Sequence, residues 1–588
     1  MAHRTARVVS AVAAASALLG QLALGAPGAM ADTSGGEQPT GARTLAAAVA
    51  AYDVQANRPQ VAGDAGSDGT ARFPTNKQNE TSIAVNPIAQ RYLVAGANDE
   101  QRQPACGPGP VRGPSVPASD CSFVPGVGTS GVYTSDDGGQ TWTNRGLLDD
   151  QPSWAGLGVI SDGDPVIAYG PKPDGAGGFS YAAGARVYYS SLATITGGKG
   201  YEYIVVAWSD DDGRTWSAPV IGTTKTSNVD FNDKNWISVD TSPSSPHFGQ
   251  VYLTWTEFRS ATSTGNGSEP VMVSVSRDGG LSFGSPKQLS PAGNNGTGNG
   301  RQGSTSTVGP DGTVYVGFEQ GSDQVVSISR DGGSSWTRPA SMGSVREIAD
   351  PIPGAAFRTN SFPVLAADPR VGSTVVYAAW ATRVADADGA DTGRIVVVRS
   401  ADAGRTWGTP VEVSGGGEGY AFFPGLDVAA NGRVDLGYQA LQAADPHAFG
   451  TGNATIDAWY RTSTDGQLWS QAQRVSSASS DPAVSAQNNL QRQFWGDYTT
   501  LVSGDEAAWF VYTDSRNGEG CAAVDAYQRY LVDTGAVVRG DMADRLQLKT
   551  TGVNPAATPP SEKPAPPTAC PAQYGNTDVY VSVIDPTP

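Results

Sequence analysis

Histidine is almost missing from this chain: 588 residues hold three, His3, His247 and His447. Zinc clusters and Ser-His-Asp catalysis are therefore poorly supplied. Positive charge is also scarce. Lys and Arg number 39 against 57 Asp and Glu, for a formal charge of −18. An acidic surface of that size argues against nucleic acid or an anionic membrane as partner. It leaves the substrate open, since a basic pocket can sit inside an acidic shell. Beyond the N-terminus no apolar run approaches the length of a membrane span. No glycine loop that could cradle a phosphate follows a strand and opens a helix, which leaves nucleotide chemistry without a site.

The first 31 residues carry an export pattern. Arg4 and Arg7 precede the apolar Val8–Leu24 segment, and Ala29-Met30-Ala31 forms a cleavage site before Asp32. The mature protein is expected outside the cell. Residues 32–70 read as a flexible leader, and 71–588 as one folded body with an insertion at 515–577. Four cysteines in an exported chain predict two disulfides, with local pairing of Cys106 to Cys121 and of Cys521 to Cys570. Glycine at 74 and proline at 40 fit many short strands and tight turns. The segment Cys521–Val532 is the best helix candidate, and Pro555–Pro571 reads as extended.

One frame recurs. Ser329-Arg330-Asp331-Gly332-Gly333-Ser334-Ser335-Trp336 reappears as Ser135–Trp142, Ser209–Trp216 and Ser400–Trp407. Ser276–Phe283 keeps it with Phe, and Ser463–Trp469 is one residue short. Copies at intervals of about 50–75 residues mark a repeat architecture. Ser and Asp can bond nearby backbone N–H groups while Gly supplies positive φ, so each copy reads as a hairpin turn with an aromatic folding back between strands. The role is structural.

Between copies lie paired strands: first strands such as Ser82–Val85, Pro165–Ala168 and Trp236–Val239, then second strands such as Gln250–Trp255 and Thr313–Phe318. Fainter second strands are expected at Phe179–Ala183 and Val434–Gly437. This gives seven units, or six if the faint second one is an insertion. The last unit ends at Asp578–Val583 without a turn motif or fourth strand. Only the segment ahead of Ser82 can supply that strand, which is how a propeller ties first blade to last. The expected fold is an all-β propeller of four-stranded blades, with the repeated turn between third and fourth strands.

A chain with six such boxes resembles the sialidase-type Asp-box (BNR repeat) propellers, over residues 72–588. The boxes are specific for fold and say little of activity. The resemblance implies three arginines holding a substrate carboxylate, a Tyr–Glu nucleophile pair and an Asp acid/base. A charged nucleophile would be repelled by the sugar's own carboxylate, which is why sialidases use Tyr. Arg72-Phe73-Pro74 matches the family's Arg-Ile-Pro except for Phe, and Asp99 has the spacing of the acid/base. Arg301 and Arg358, with Arg492 as a further candidate, stand ahead of later first strands. Tyr420 with Glu418 is the candidate nucleophile pair, and Tyr498 its rival.

The same mouth gathers Asn79, Glu80, Asp162, Asp164, Asp233, Lys234, Asn235, Gln302, Asn360, Gln493, Trp495 and Asp497. Carboxyl pairs there, such as Glu80 with Asp233, would allow ordinary acid/base glycoside hydrolysis. The resulting expectation is a secreted sialidase-like hydrolase of terminal, sialic or other acidic, sugars. A non-catalytic propeller that binds glycans or cell-surface proteins is the alternative. The partner is a glycan, the protein a monomer, and no cofactor is required. Calcium enters only through Asp386-x-Asp388-Gly389-x-Asp391, whose oxygen density and glycine fit either a calcium loop or a solvated turn.

Overall fold

The computed structural model describes residues 43–45, 50–58, 77–102, 127–197, 202–223, 230–259, 268–291, 301–386, 389–486, 490, 492–534, 570–571 and 573–586. The signal segment, Arg72 and the Cys106–Cys121 pairing lie outside them. The chain forms a β-propeller of seven antiparallel blades. First strands are Gln78–Val85, Val159–Pro173, Phe231–Val239, Arg301–Val308, Val364–Ala367, Tyr420–Val428 and Thr500–Ser503. Each pairs with the next strand in sequence, which pairs with a third. Six blades have four strands. The sixth adds two short ones, including Arg43–Leu45 in parallel with Leu468–Ser470.

Strands of the interior do not alternate between apolar and polar exposure, because each blade packs on a neighbour through both faces. All eight residues of Val251–Phe258 are buried. The same reason explains Trp255, Trp380 and Trp469, which are fully buried between sheets.

The repeated turns all lie on one face, opposite the starts of the first strands. Ser329 Oγ donates to Asp331 Oδ1 (2.9 Å) and accepts from the Gly333 N–H (2.9 Å). The carboxylate then accepts from Ser335 N–H (2.8 Å) and Oγ (2.6 Å). Ser209–Trp216 and Ser400–Trp407 repeat these bonds. Ser335 holds the Asp331 carboxyl at about 2, and Thr406 does the same for Asp402. Asp137, Asp211, Asp278 and Asp465 are also lowered, against the pull of burial. The folded pKa lies below the unfolded 3.8. These carboxylates thus contribute stability that is present above that value and lost as pH falls towards 2. The melting temperature should drop steeply between pH 4 and about 2. Asp331→Asn should flatten that slope, and an unchanged slope would count against the turns as the acid-labile element.

The second blade is the longest hairpin in the molecule, not an insertion. Ala168 pairs with Tyr188, so Phe179–Ala183 is the outer end of the second strand, Phe179–Ile195, and extends beyond the blade as an arm. The arm covers the third blade, where the Tyr181 hydroxyl donates to Thr241 O (3.2 Å) and its ring meets Phe248 edge-on.

The ring closes through the segment 50–58. Ala50–Gln55 is the outer strand of the seventh blade, antiparallel to Asp578–Asp585. This lies within the span 32–70 that reads as leader in the sequence, where Ala50–Gln55 is instead a paired strand. Asn57 Nδ2 donates to Asp578 Oδ1 (2.8 Å) and to Gln78 Oε1 (2.9 Å), tying the last blade to the first. Between Asp514 and Asp578 lie the helix Ala522–Thr534 and the disulfide Cys521–Cys570. No helix among the described residues is long and apolar enough to cross a membrane.

Candidate functional site

The first strands share an irregularity at their upper ends. Strand pairing slips between Asn79 and Ser82, Asp233 and Trp236, Gln302 and Thr305, and Phe422 and Gly425, with a comparable slip around Gly163. At each slip one residue takes a left-handed backbone: Glu80 (φ 54°), Asp164 (51°), Lys234 (54°), Gly303 (68°) and Phe423 (47°). Such bulges re-aim side chains, and a non-glycine residue there costs about 1–2 kcal/mol. Here they direct a ring of side chains towards the propeller axis.

Glu80, Asp164, Asp233 and Asp497 meet Lys234 and Arg358 there. Lys234 Nζ stands 2.5 Å from Asp497 Oδ2, 3.6 Å from Glu80 Oε1 and 3.7 Å from Asp164 Oδ2. Arg358 grips both oxygens of Asp497, at 2.7 and 2.6 Å, and reaches Glu80 at 3.8 Å. Burial opposes ionisation of Asp497, but Arg358 and Lys234 overcome it and hold its carboxyl well below the usual range. Glu80 goes the other way. Burial, then the neighbouring Asp164, pushes it well above an ordinary glutamate. Burial also raises the Asp164 carboxyl, which lies on the same Lys234 ammonium as Glu80.

Below the cluster the axis is closed. The Tyr498 hydroxyl crosses from the seventh blade to donate to Pro165 O (3.0 Å), and its ring lies edge-on to Trp236. The Asn360 amide donates to Asp497 O (2.8 Å). The space among Lys234, Trp236, Asn360, Phe362 and Tyr498 is about 40 Å³. That suits a water molecule or two and is far too small for a sugar. A ligand would reach the cluster from the upper face, where the Arg358 side chain is 18 % exposed.

The residues singled out in the sequence are dispersed. Arg72 lies outside the described residues. Arg358 is in the axial cluster, but its guanidinium is occupied by Asp497. Arg301 shares no partner with it. Arg301 Nε and Nη1 are buried without an acceptor, while its backbone N–H meets Glu269 Oε2 (3.2 Å). Burial pushes the Glu269 carboxyl up to about 7, although Arg301 lies beside it. Asp99, 1 % exposed, accepts from Gln78, Tyr133 and Gln101 and so fastens the upper end of the first blade.

Tyr420 and Glu418 do not face each other. The Tyr420 hydroxyl accepts from Ala349 N–H (2.8 Å), and burial raises it to about 12, which makes a poor nucleophile. Glu418 pairs with Arg461 (2.8 Å) and accepts from the Tyr438 hydroxyl (3.2 Å). Of the rivals, Tyr498 is the one beside the axial carboxyls. Glu80 shares the Lys234 ammonium with Asp164, and Asp233 lies in the same cluster. Both aspartates carry the same signal, an acid just ahead of a first strand.

The acidic turn at 386–391 is closed by its own chain. Asp386 Oδ1 accepts from Ala390 N–H (2.8 Å), and Asp391 pairs with Arg346 (3.1 Å). Asp388 lies outside the described residues. Among those described, no group of three His, Cys, Asp or Glu side chains has the geometry to hold a metal.

No protein-family model matches the sequence, and no curated protein matches it significantly. Solved structures do resemble it. NanB sialidase from Streptococcus pneumoniae aligns over 72% of this chain and 80% of its own, at 11% identity and a TM-score of 0.37. An alpha-L-arabinofuranosidase from Fusarium graminearum covers 59% of this chain and 87% of its own, at 10% identity and 0.37. A protein of unknown function from Dyadobacter fermentans covers 67% and 94%, at 14% identity and 0.35. At these values the likeness assigns no residue a role.

Proposed function

We propose that this is an exported, glycan-directed propeller that works as a sialidase-like glycoside hydrolase from its upper face. The observation that carries the reading is the axial cluster. It sets Glu80 and Asp164, whose carboxyls burial pushes up, around the Lys234 ammonium and beside Asp497, which Arg358 and Lys234 hold well below the usual carboxylate range. Neighbouring carboxyls driven to opposite protonation states are the arrangement acid/base hydrolysis needs. In this reading the pair protonates the departing glycosidic oxygen.

A panel of fluorogenic glycosides, sialosides included, tests this. At least one should be hydrolysed, and Glu80→Gln or Asp164→Asn should lower turnover about a hundred- to ten-thousandfold while the fold stays intact. Because the acid must keep its proton, the rate should decline as pH rises through the elevated range of the pair. Failure to cleave any member of the panel would reject the hydrolase. The occupied state of Arg358 favours a second reading, a propeller that binds glycans without cleaving them. In that case glycan binding would persist in Glu80→Gln with no hydrolysis in any form of the protein.

A further inference from the structure

A second site lies away from the axis, at the upper edge between the fifth and sixth blades. A cleft of about 800 Å³ opens there, lined among others by Thr392, Arg394, Glu412, Tyr420, Leu441 and Gln442. Its volume falls within the roughly 300–1,000 Å³ of small-molecule sites. The Arg394 guanidinium is anchored at its back. Nη1 donates to Thr392 Oγ1 (3.1 Å), Gly393 O (2.9 Å) and Gly419 O (2.9 Å). Nη2 makes no hydrogen bond among the described residues and lies against Gly416, which also borders the cleft. Glu412 stands 3.4 Å from Arg394 Nε and Asp386 also lines the cleft, so the wall sets two carboxyls beside one guanidinium and offers an anion no net positive charge. Gln442 gives its N–H to Gly417 O (3.0 Å), which leaves its amide oxygen for another donor.

We infer that this cleft is a binding site for a neutral oligosaccharide. The wall offers donors and acceptors side by side, which suits hydroxyl groups that do both. Leu441, Val384 and Ala443 supply apolar surface for the C–H faces of a sugar, and Tyr420 an aromatic one. A carboxylated or sulfated sugar would have to compete with Glu412 for Arg394, so a neutral chain is preferred. The opening is kept by glycine. A side chain at Gly416 would start 3.4 Å from Arg394 Nη2 and project into the space. The inference rests on no part of the axial reading.

The test titrates the full-length protein calorimetrically with cellotriose, xylotriose, mannotriose and galactotriose, and with sialyllactose as the acidic control. At least one neutral trisaccharide should bind one site per chain, and the acidic probe should bind at least tenfold more weakly. Gly416→Leu should weaken the neutral probe tenfold or more and leave any glycoside hydrolysis unchanged. Gln442→Ala, an exposed position, should weaken it severalfold without altering the melting temperature. Binding retained in Glu80→Gln would separate this site from the axial one. The inference is overturned if no neutral trisaccharide binds at millimolar concentration, if both cleft variants bind as wild type, or if the acidic probe is preferred.

Discussion

Asp497→Ala is expected to remove about 3–5 kcal/mol of unfolding free energy, more than any other single change at the axis. The carboxylate is 7 % exposed and is the nearest counter-ion of Lys234 and of Arg358 together. Its loss strands two cations where water cannot reach them well, and Glu80 cannot replace it while it keeps a proton. Asp497→Asn preserves shape without charge and should cost nearly as much. Pairing Asp497→Ala with Lys234→Met should cost less than the sum of the two, since the double variant has one stranded cation fewer. Urea unfolding measures all of these. A loss under about 1 kcal/mol for Asp497→Ala would put the ion pairs in the class of exposed ones and remove the electrostatic account of the axis. Glu80 adds a pH signature of opposite sign to that of the turn aspartates. Its folded pKa is raised above 4.5, so stability should decline as pH climbs from that value until the folded carboxyl also ionises.

The second large effect concerns the N-terminal strand. Of the described strands, a chain that begins at residue 46 lacks Arg43–Leu45 alone, a three-residue addition to the sixth blade, and should melt within a few degrees of the full-length protein. A chain that begins at residue 59 also lacks Ala50–Gln55. It loses six residues of pairing with Asp585–Tyr580, and with them Asp53, whose carboxylate takes Arg516 Nη2 (2.6 Å), the Tyr512 hydroxyl (2.9 Å) and Ser477 N–H (2.9 Å). Arg516 is then short of a buried partner, Asn57 no longer joins the last blade to the first, and a long edge lies open. The expected outcome is a fall in melting temperature of more than about 10 °C, or aggregation in place of soluble protein. Comparable thermal unfolding of the two truncations would show that the strand is dispensable.

Much of the architecture was written locally. A Ser-x-Asp turn with glycine at fixed offset is decided within eight residues, so copies such as Ser329–Trp336 announce themselves. The missing fourth strand after Asp578–Val583 likewise pointed to an N-terminal closure. Phe179–Ala183 does lie in the second strand, Phe179–Ile195, but an arm and a blade share that β-rich stretch, and only the register of Ala168 with Tyr188 shows which part enters the blade. The site was less legible, since its contacts join distant parts of the chain. Asp164 and Asp233 look alike in sequence, and both precede first strands. Arg358 looks like a free anion clamp until Asp497, from the seventh blade, is seen to fill its fork. Glu418 was matched with the tyrosine beside it in sequence, whereas the one it touches is Tyr438, across a strand pair.

The clasp between Ala50–Gln55 and Asp578–Asp585 also dictates an order of events during synthesis. The first of these strands is made long before its partner, and 585 − 55 = 530 residues separate their ends. At roughly 5–20 residues per second, that interval lasts about half a minute to two minutes. Throughout it, the nascent chain carries one strand with no partner and a growing arc of blades with two unsatisfied rims. The circle can be completed only once Asp578–Asp585 has been made.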